Sequence, residues 1–208
     1  FGFDSYVRIL SDPQNPYGLW FLNTLVIAVV TGAVTVFIGA LAAYAFSRMR
    51  FAGRRIGLVT IVVVQMFPQL LAVVAIFLLM STLGDWFPAI GLNTHTGLIL
   101  VYLGGALGVN TYLMYGFFNT LPMELDEAAR IDGAGHARIF FTMILPLVAP
   151  ILAVVALLSF IGTVNEYVIA SVMLVDVDQQ TLVVGLTKLV ANPVSYTHLR
   201  AHETKANL

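Results

Sequence analysis

NTLPMELDEAARIDGAGHARIFFTMILPLVAP, residues 119–150, is the longest polar interruption between the apolar stretches of this chain. Pro122 suits a first helical turn. Glu124, Asp126 and Glu127 follow it, and acidic residues there favour a helix N-terminus electrostatically. Leu125, Ala128, Ala129 and Asp132 recur at three- and four-residue spacing, which predicts one small, mostly apolar face. Gly133 and Gly135 let the chain leave that helix sharply. A second helical stretch, His136–Leu145, leads to Pro146. The segment reads as a short helix–turn–helix whose small-residue surface, flanked by charge, is shaped to dock into a groove on another protein.

Outward from this segment the chain turns strongly apolar. Of 208 residues, 59% are hydrophobic and 10% charged, against about a quarter charged in ordinary soluble domains. The mean hydropathy is +0.91. A soluble core of this size has no room for so much apolar surface, and a bilayer accommodates it. Four stretches are long enough to cross it, at about residues 20–46, 57–80, 97–118 and 149–174. They are continuous rather than alternating, so they predict helices and not barrel strands. The expected fold is an all-α, polytopic transmembrane helix bundle. Net charge is −1, which gives no electrostatic case for nucleic acid as a partner. There is no cysteine, and so no disulfide or thiolate chemistry.

Arginines in short loops set the expected orientation. Arg48, Arg50, Arg54 and Arg55 lie in or beside the loop at 47–56, and Arg130 and Arg138 lie in the loop at 119–148. The intervening segment, Ser81–Thr96, holds no Lys or Arg. Loops 47–56 and 119–148 are therefore expected in the cytoplasm. Ser81–Thr96, Leu10–Leu19 and the region after Leu174 are expected outside. Trp20 and Trp86 then fall where interfacial aromatics belong.

Within the spans, Gly32, Gly39, Ala40, Ala42, Ala43, Gly104, Gly105 and Gly108 predict close helix–helix packing. Pro68 removes a backbone donor in mid-span and predicts a kink. Gln65 and Gln69 flank it at helical spacing. Amides in lipid need partners or a water-filled path. They fit either a translocation pathway or a pair of interhelical hydrogen bonds. Asn165 and Glu166, in the outer half of the fourth span, are a second pathway candidate, unless Glu166 sits among outer headgroups. His95 and His136 read as structural or solvated. His198 and His202, four apart near the C-terminus, make too small a ligand set for a zinc site. No metal or cofactor is expected.

Glu127-Ala128-Ala129, then Gly133 after three intervening residues, then Met143-Ile144-Leu145-Pro146 after nine more, resembles the EAA loop of membrane subunits of binding-protein-dependent ABC importers. Met143 stands where that family commonly has Ile. YAFSRMRFAG at 44–53, QMFP at 65–68, IGLNTH at 90–95, YLGG at 102–105 and ILAVVALLSFI at 151–161 resemble the maltose/maltodextrin permeases of the MalG type. The resemblance implies a type I ABC importer permease fold in the inner membrane. It also implies a second permease subunit, two cytoplasmic ATP-binding subunits and an extracytoplasmic sugar-binding protein. Glu127, Ala128, Ala129, Asp132, Gly133 and Pro146 would belong to the ATPase-coupling loop. ATP hydrolysis would belong to the partners, and this chain carries no G-x-x-x-x-G-K-[ST] phosphate loop and is not expected to be an enzyme.

Relatives of that kind usually have six spans, so four imply a chain incomplete at both ends. The expected division is an extracytoplasmic segment at 1–19, a permease domain at 20–193 and a non-native tail at 194–208. Two other readings remain open. One is an importer permease for a different oligosaccharide. The other is an ion-coupled secondary transporter, for which Glu166 is the one clear intramembrane relay candidate.

Overall fold

The computed structural model describes residues 15–191, with Gln69, Leu189, Val190 and Ala191 placed by backbone alone. Most of the expected segment 1–19, and all of the tail 194–208 with His198 and His202, lie outside the described residues. The described chain forms α1 (Tyr17–Arg48), α2 (Arg54–Gln65), α3 (Gln69–Trp86), a 3-10 turn (Pro88–Ile90), α4 (His95–Phe118) and α5 (Glu124–Ile131). It continues with α6 (His136–Ile139), a π turn (Phe140–Ile144), α7 (Leu145–Leu147), α8 (Ala149–Asn165), α9 (Val168–Met173), a 3-10 turn (Val177–Gln179) and α10 (Leu182–Ala191). Helices satisfy backbone donors and acceptors within one segment, which apolar surroundings demand. α1 and α4 are each long and apolar enough to cross a membrane. The bent pairs α2/α3 and α6–α8 also qualify if each is taken as one span.

α1 is the axis of the bundle, packing along both α4 and α8. Towards its start, Ile27 is buried with Met80, Leu98, Tyr102, Met173 and Leu174. Towards its end, Ala40, Ala43 and Tyr44 are buried with Met114, Phe118, Ala129, Phe140 and Ile144. Small residues permit the approach: Gly32 lies against the α8 backbone at Ala156, and Gly39 under the Met114 side chain.

Two of the four expected spans are not single helices. The stretch at 57–80 divides into α2 and α3, which meet at 100°. Pro68 has no N–H to continue the ladder. The last turn tightens instead, with the Met66 and Phe67 amides donating to the Val63 and Val64 carbonyls at 3.1 and 3.2 Å. The stretch at 149–174 stops at Asn165, unwinds through Glu166 and Tyr167, and resumes as α9. Before it, α6–α7 and α8 meet at 77° beside Val148. Pro146 cannot donate within the turn, and the Leu145 amide reaches five residues back to Phe140, which gives the π turn.

One further expectation is corrected. Trp20 is not an interfacial aromatic in contact with lipid. It is 2% exposed, and its indole donates to the Val177 carbonyl at 2.7 Å. Trp86, 77% exposed, remains free to take that role. The region after Leu174, for which the sequence set only an expected side, is a folded strap and helix. Asn23 donates to the Asp178 and Gln180 carbonyls at 2.8 and 3.1 Å. The Asn93 carboxamide oxygen accepts from the Val175 and Asp176 amides at 2.7 and 3.1 Å. α10 then packs back on α1, with Gly185 directly under the Trp20 ring.

Candidate functional sites

The polar segment at 119–148 forms a helix pinned at one face and bare at the other. α5 starts at Glu124, so Pro122 lies ahead of the helix rather than in its first turn. Its Asp126 and Glu127 amides donate to the Met123 carbonyl at 3.0 and 3.1 Å. It ends in a Schellman arrangement. The Ala134 amide reaches the Ala129 carbonyl at 2.9 Å, and the Gly133 amide reaches the Arg130 carbonyl at 3.0 Å. Gly133 sits at φ +80°, the left-handed conformation that this turn requires.

The face expected from Leu125, Ala128, Ala129 and Asp132 is split. Ala129 turns inward with Asp126, whereas Ala128 and Asp132 face outward with Glu127 and Gly133. The physical reason is Arg48. Its guanidinium lies 3.3 Å from the Asp126 carboxylate, both side chains being almost fully buried. An acid with such a partner can face inward where a solvated one cannot. The outward surface adds Ile131, at 87% exposed the barest large apolar residue in the helix. Pro146 is exposed on α7, beyond the π turn. Tyr44 completes the anchorage, its ring centroid 5.1 Å from that of Phe140 and its hydroxyl 3.4 Å from His136 Nδ1.

The second candidate lies where the two broken helices face each other across α4. A cleft of about 1010 Å³ is lined by Gln65–Pro68 at one break, Glu166 at the other, and Gly104, Gly105 and Asn110 between them. Irregular backbone at membrane depth belongs where it lines a cavity or is covered by protein. Gln65 donates to the Gly105 carbonyl at 2.7 Å, so its amide is both interhelical bond and cleft lining. Glu166 is held from three sides. Tyr102 donates its hydroxyl at 2.7 Å, and the Ile169 and Ala170 amides donate at 2.9 and 3.1 Å. Asn165 is not among the lining residues and bonds back to the Ile161 carbonyl at 2.8 Å. The Gln69 side chain lies outside what the structure describes.

Tyr102, Asn110 and Ser159 were not singled out from the sequence. Asn110 donates to the Ser159 hydroxyl at 2.9 Å, and both line the cleft. Polar residues amid the apolar runs of two stretches are the signal that marks them. His95, expected to be either structural or solvated, has Nε2 lying 3.1 Å from the Gln179 carbonyl.

Residues 35–192 match the family described as binding-protein-dependent transport system inner membrane component. The chain is 41% identical over 202 residues to the galactooligosaccharide transport permease protein GanQ of Bacillus subtilis strain 168, covering 96% of this chain and 69% of that protein. It is 41% identical over 190 residues to the maltodextrin transport permease protein MalD of Streptococcus pneumoniae R6, covering 91% and 65%. It is 43% identical over 187 residues to the maltose/maltodextrin transport permease protein MalG of Salmonella typhimurium LT2, covering 90% and 62%. A solved bacterial ABC transporter involved in importing the acidic polysaccharide alginate superposes with a TM-score of 0.76 at 31% identity, over 90% of this chain and 63% of that one. The chain thus spans between 62% and 69% of the length of these relatives.

Proposed function

Because the chain belongs to the family of binding-protein-dependent transport inner membrane components, we propose that it is the membrane-spanning permease subunit of an ATP-binding cassette importer for maltose/maltodextrin-type sugars. Its fold is that of an ABC transporter permease, an all-helical membrane bundle. The observation that carries the mechanistic reading is α5, a short helix pinned by a buried ion pair on one side and bare on the other. On this reading, loops 47–56 and 119–148 face the cytoplasm. Glu127, Ala128, Ile131, Asp132 and Gly133 seat α5 in a cytoplasmic ATP-binding subunit. Two such subunits hydrolyse the ATP, and a second permease and an extracytoplasmic sugar-binding protein complete the assembly.

ATP-driven closure of the ATPases would draw the coupling helices together, and the bundle would rock as a rigid body. The cleft between the two helix breaks, with Gln65 and Glu166 on its wall, supports a place on the sugar's path. Similarity to a galactooligosaccharide permease supports a second substrate reading on the same scaffold. The test is uptake into proteoliposomes that hold the full-length protein with its partner permease, ATPases and binding protein. Maltodextrin uptake that needs ATP and survives an uncoupler supports the proposal. Uptake of galactooligosaccharide alone shifts it to the second reading, and uptake abolished by the uncoupler rejects the class.

A further inference from the structure

Arg48, the last residue of α1, and Asp126, in the first turn of α5, bring a full charge pair into the protein's interior, their side chains 2% and 3% exposed. The pair is poorly arranged for stability. Asp126 Oδ1 has no hydrogen-bond partner, and the Arg48 Nε–Asp126 Oδ2 approach of 3.3 Å lacks hydrogen-bond geometry. Buried pairs of this kind are commonly matched or exceeded by apolar residues of similar volume. What the pair offers is direction. The same guanidinium donates to the Leu121 carbonyl at 3.0 Å and to the Met123 sulfur, gripping the turn that leads into α5. Three groups from residues 121–126 therefore converge on one side chain at the tip of α1. An apolar contact resists separation but not sliding, whereas a forked guanidinium fixes register. α1 in turn is the helix against which α4 and α8 pack.

We propose that Arg48 and Asp126 are positioning residues that form the joint between the docking helix and the bundle. Through them, displacement of α5 becomes displacement of α1. The proposal rests on the reading of α5 as the ATPase-docking helix, and it deepens that reading by naming the mechanical link.

The test uses the full-length protein in its importer complex, with cysteines replaced in the partner subunits. This chain has no cysteine of its own. Spin labels attached through Ala52→Cys and Glu124→Cys, both exposed positions outside the residues assigned to the ATPase contact, report the distance between the loop leaving α1 and α5. Arg48→Met with Asp126→Leu removes both charges at similar volume and leaves no unpaired charge to unfold the chain. We expect this variant to assemble, with a broadened distance distribution and sugar uptake per ATP reduced about tenfold, within the range typical of coupling between sites. Asp126→Glu keeps the charge and is expected to retain a narrow distribution and most of the uptake. A native distribution in the apolar variant, or unchanged uptake per ATP despite broadening, overturns the joint. So does an Asp126→Glu variant as impaired as the apolar one. If the unmodified complex imports none of the sugars by ATP hydrolysis, the functional reading fails, while the label distances still judge the joint.

Discussion

Tyr102 on α4 and Glu166 at the α8–α9 break are joined by a 2.7 Å hydrogen bond from hydroxyl to carboxylate. The bond makes the break a built feature rather than a frayed end. The same carboxylate accepts two amides from the first turn of α9, so one side chain ends α8, starts α9 and ties both to α4. Placed in mid-helix, such an acid would be a liability; here its oxygens have three donors in place of water.

Glu166→Ala and Tyr102→Phe should therefore differ in size. Tyr102→Phe deletes one donor and leaves the carboxylate with two amide partners, a loss of about 1–2 kcal/mol. Glu166→Ala strands all three donors and unties α9, and hydrogen bonds to charged groups are each worth about 1.5–3 kcal/mol. Thermal unfolding of the full-length variants in nanodiscs should show a markedly larger drop for Glu166→Ala. Equal drops would mean that the amide bonds contribute nothing.

At Gly133 the cost of a side chain is conformational, not steric. A Cβ there would meet no atom within 4 Å, yet φ is +80°. Asn tolerates this left-handed region and Val does not. Gly133→Asn should keep near-normal ATPase coupling and uptake. Gly133→Val should insert and assemble, yet lose binding-protein-stimulated ATPase activity and uptake together. Loss in both variants to the same degree would show that the site demands the absence of a side chain, not the backbone turn.

These two sites mark what was legible in sequence. Gly133 could be read because a Schellman turn is local: its glycine, its helix and its acceptors lie within five residues. The break at Pro68 was likewise announced by a missing donor, though a kink understates a 100° bend. The inward turn of Asp126 was not legible, because its partner is 78 residues away at the end of α1 and no local pattern encodes that meeting. The strap after Leu174 was missed for the same reason, since Trp20 and Asn23 reach it across more than 150 residues. Pairings that define the cleft, Tyr102 with Glu166 and Asn110 with Ser159, are equally non-local.

Gly185 gives a packing test of the strap and α10. A Cβ at Gly185 would overlap the Trp20 ring, which is itself fixed by its bond to Val177. Overpacking of this kind costs about 1–3 kcal/mol. Gly116, also in a helix, has open space around it. Gly185→Ala should lower the unfolding midpoint in nanodiscs and increase proteolysis between α9 and α10. Gly116→Ala should leave the midpoint unchanged or raise it slightly through helix propensity. A Gly185→Ala protein as stable as the native one would show that α10 does not sit against Trp20.

The outward face of α5 is tested at Ile131. At 87% exposed it has almost no contact within its own chain, so replacing it should leave folding nearly unchanged. A large apolar residue at the centre of a docking surface is a natural hot spot, and burying an unpaired charge there is strongly unfavourable. Ile131→Lys should insert into the membrane at native abundance and pair with the second permease. It should also fail to retain the ATP-binding subunits on purification, with uptake lost accordingly. Glu124→Gln, on the same helix but farther from the Gly133 turn, is the control and should retain them. An Ile131→Lys protein that copurifies with its ATPases in native proportion and transports normally would mean that α5 meets its partner through another face, and the reading of this helix as the docking element would have to be withdrawn.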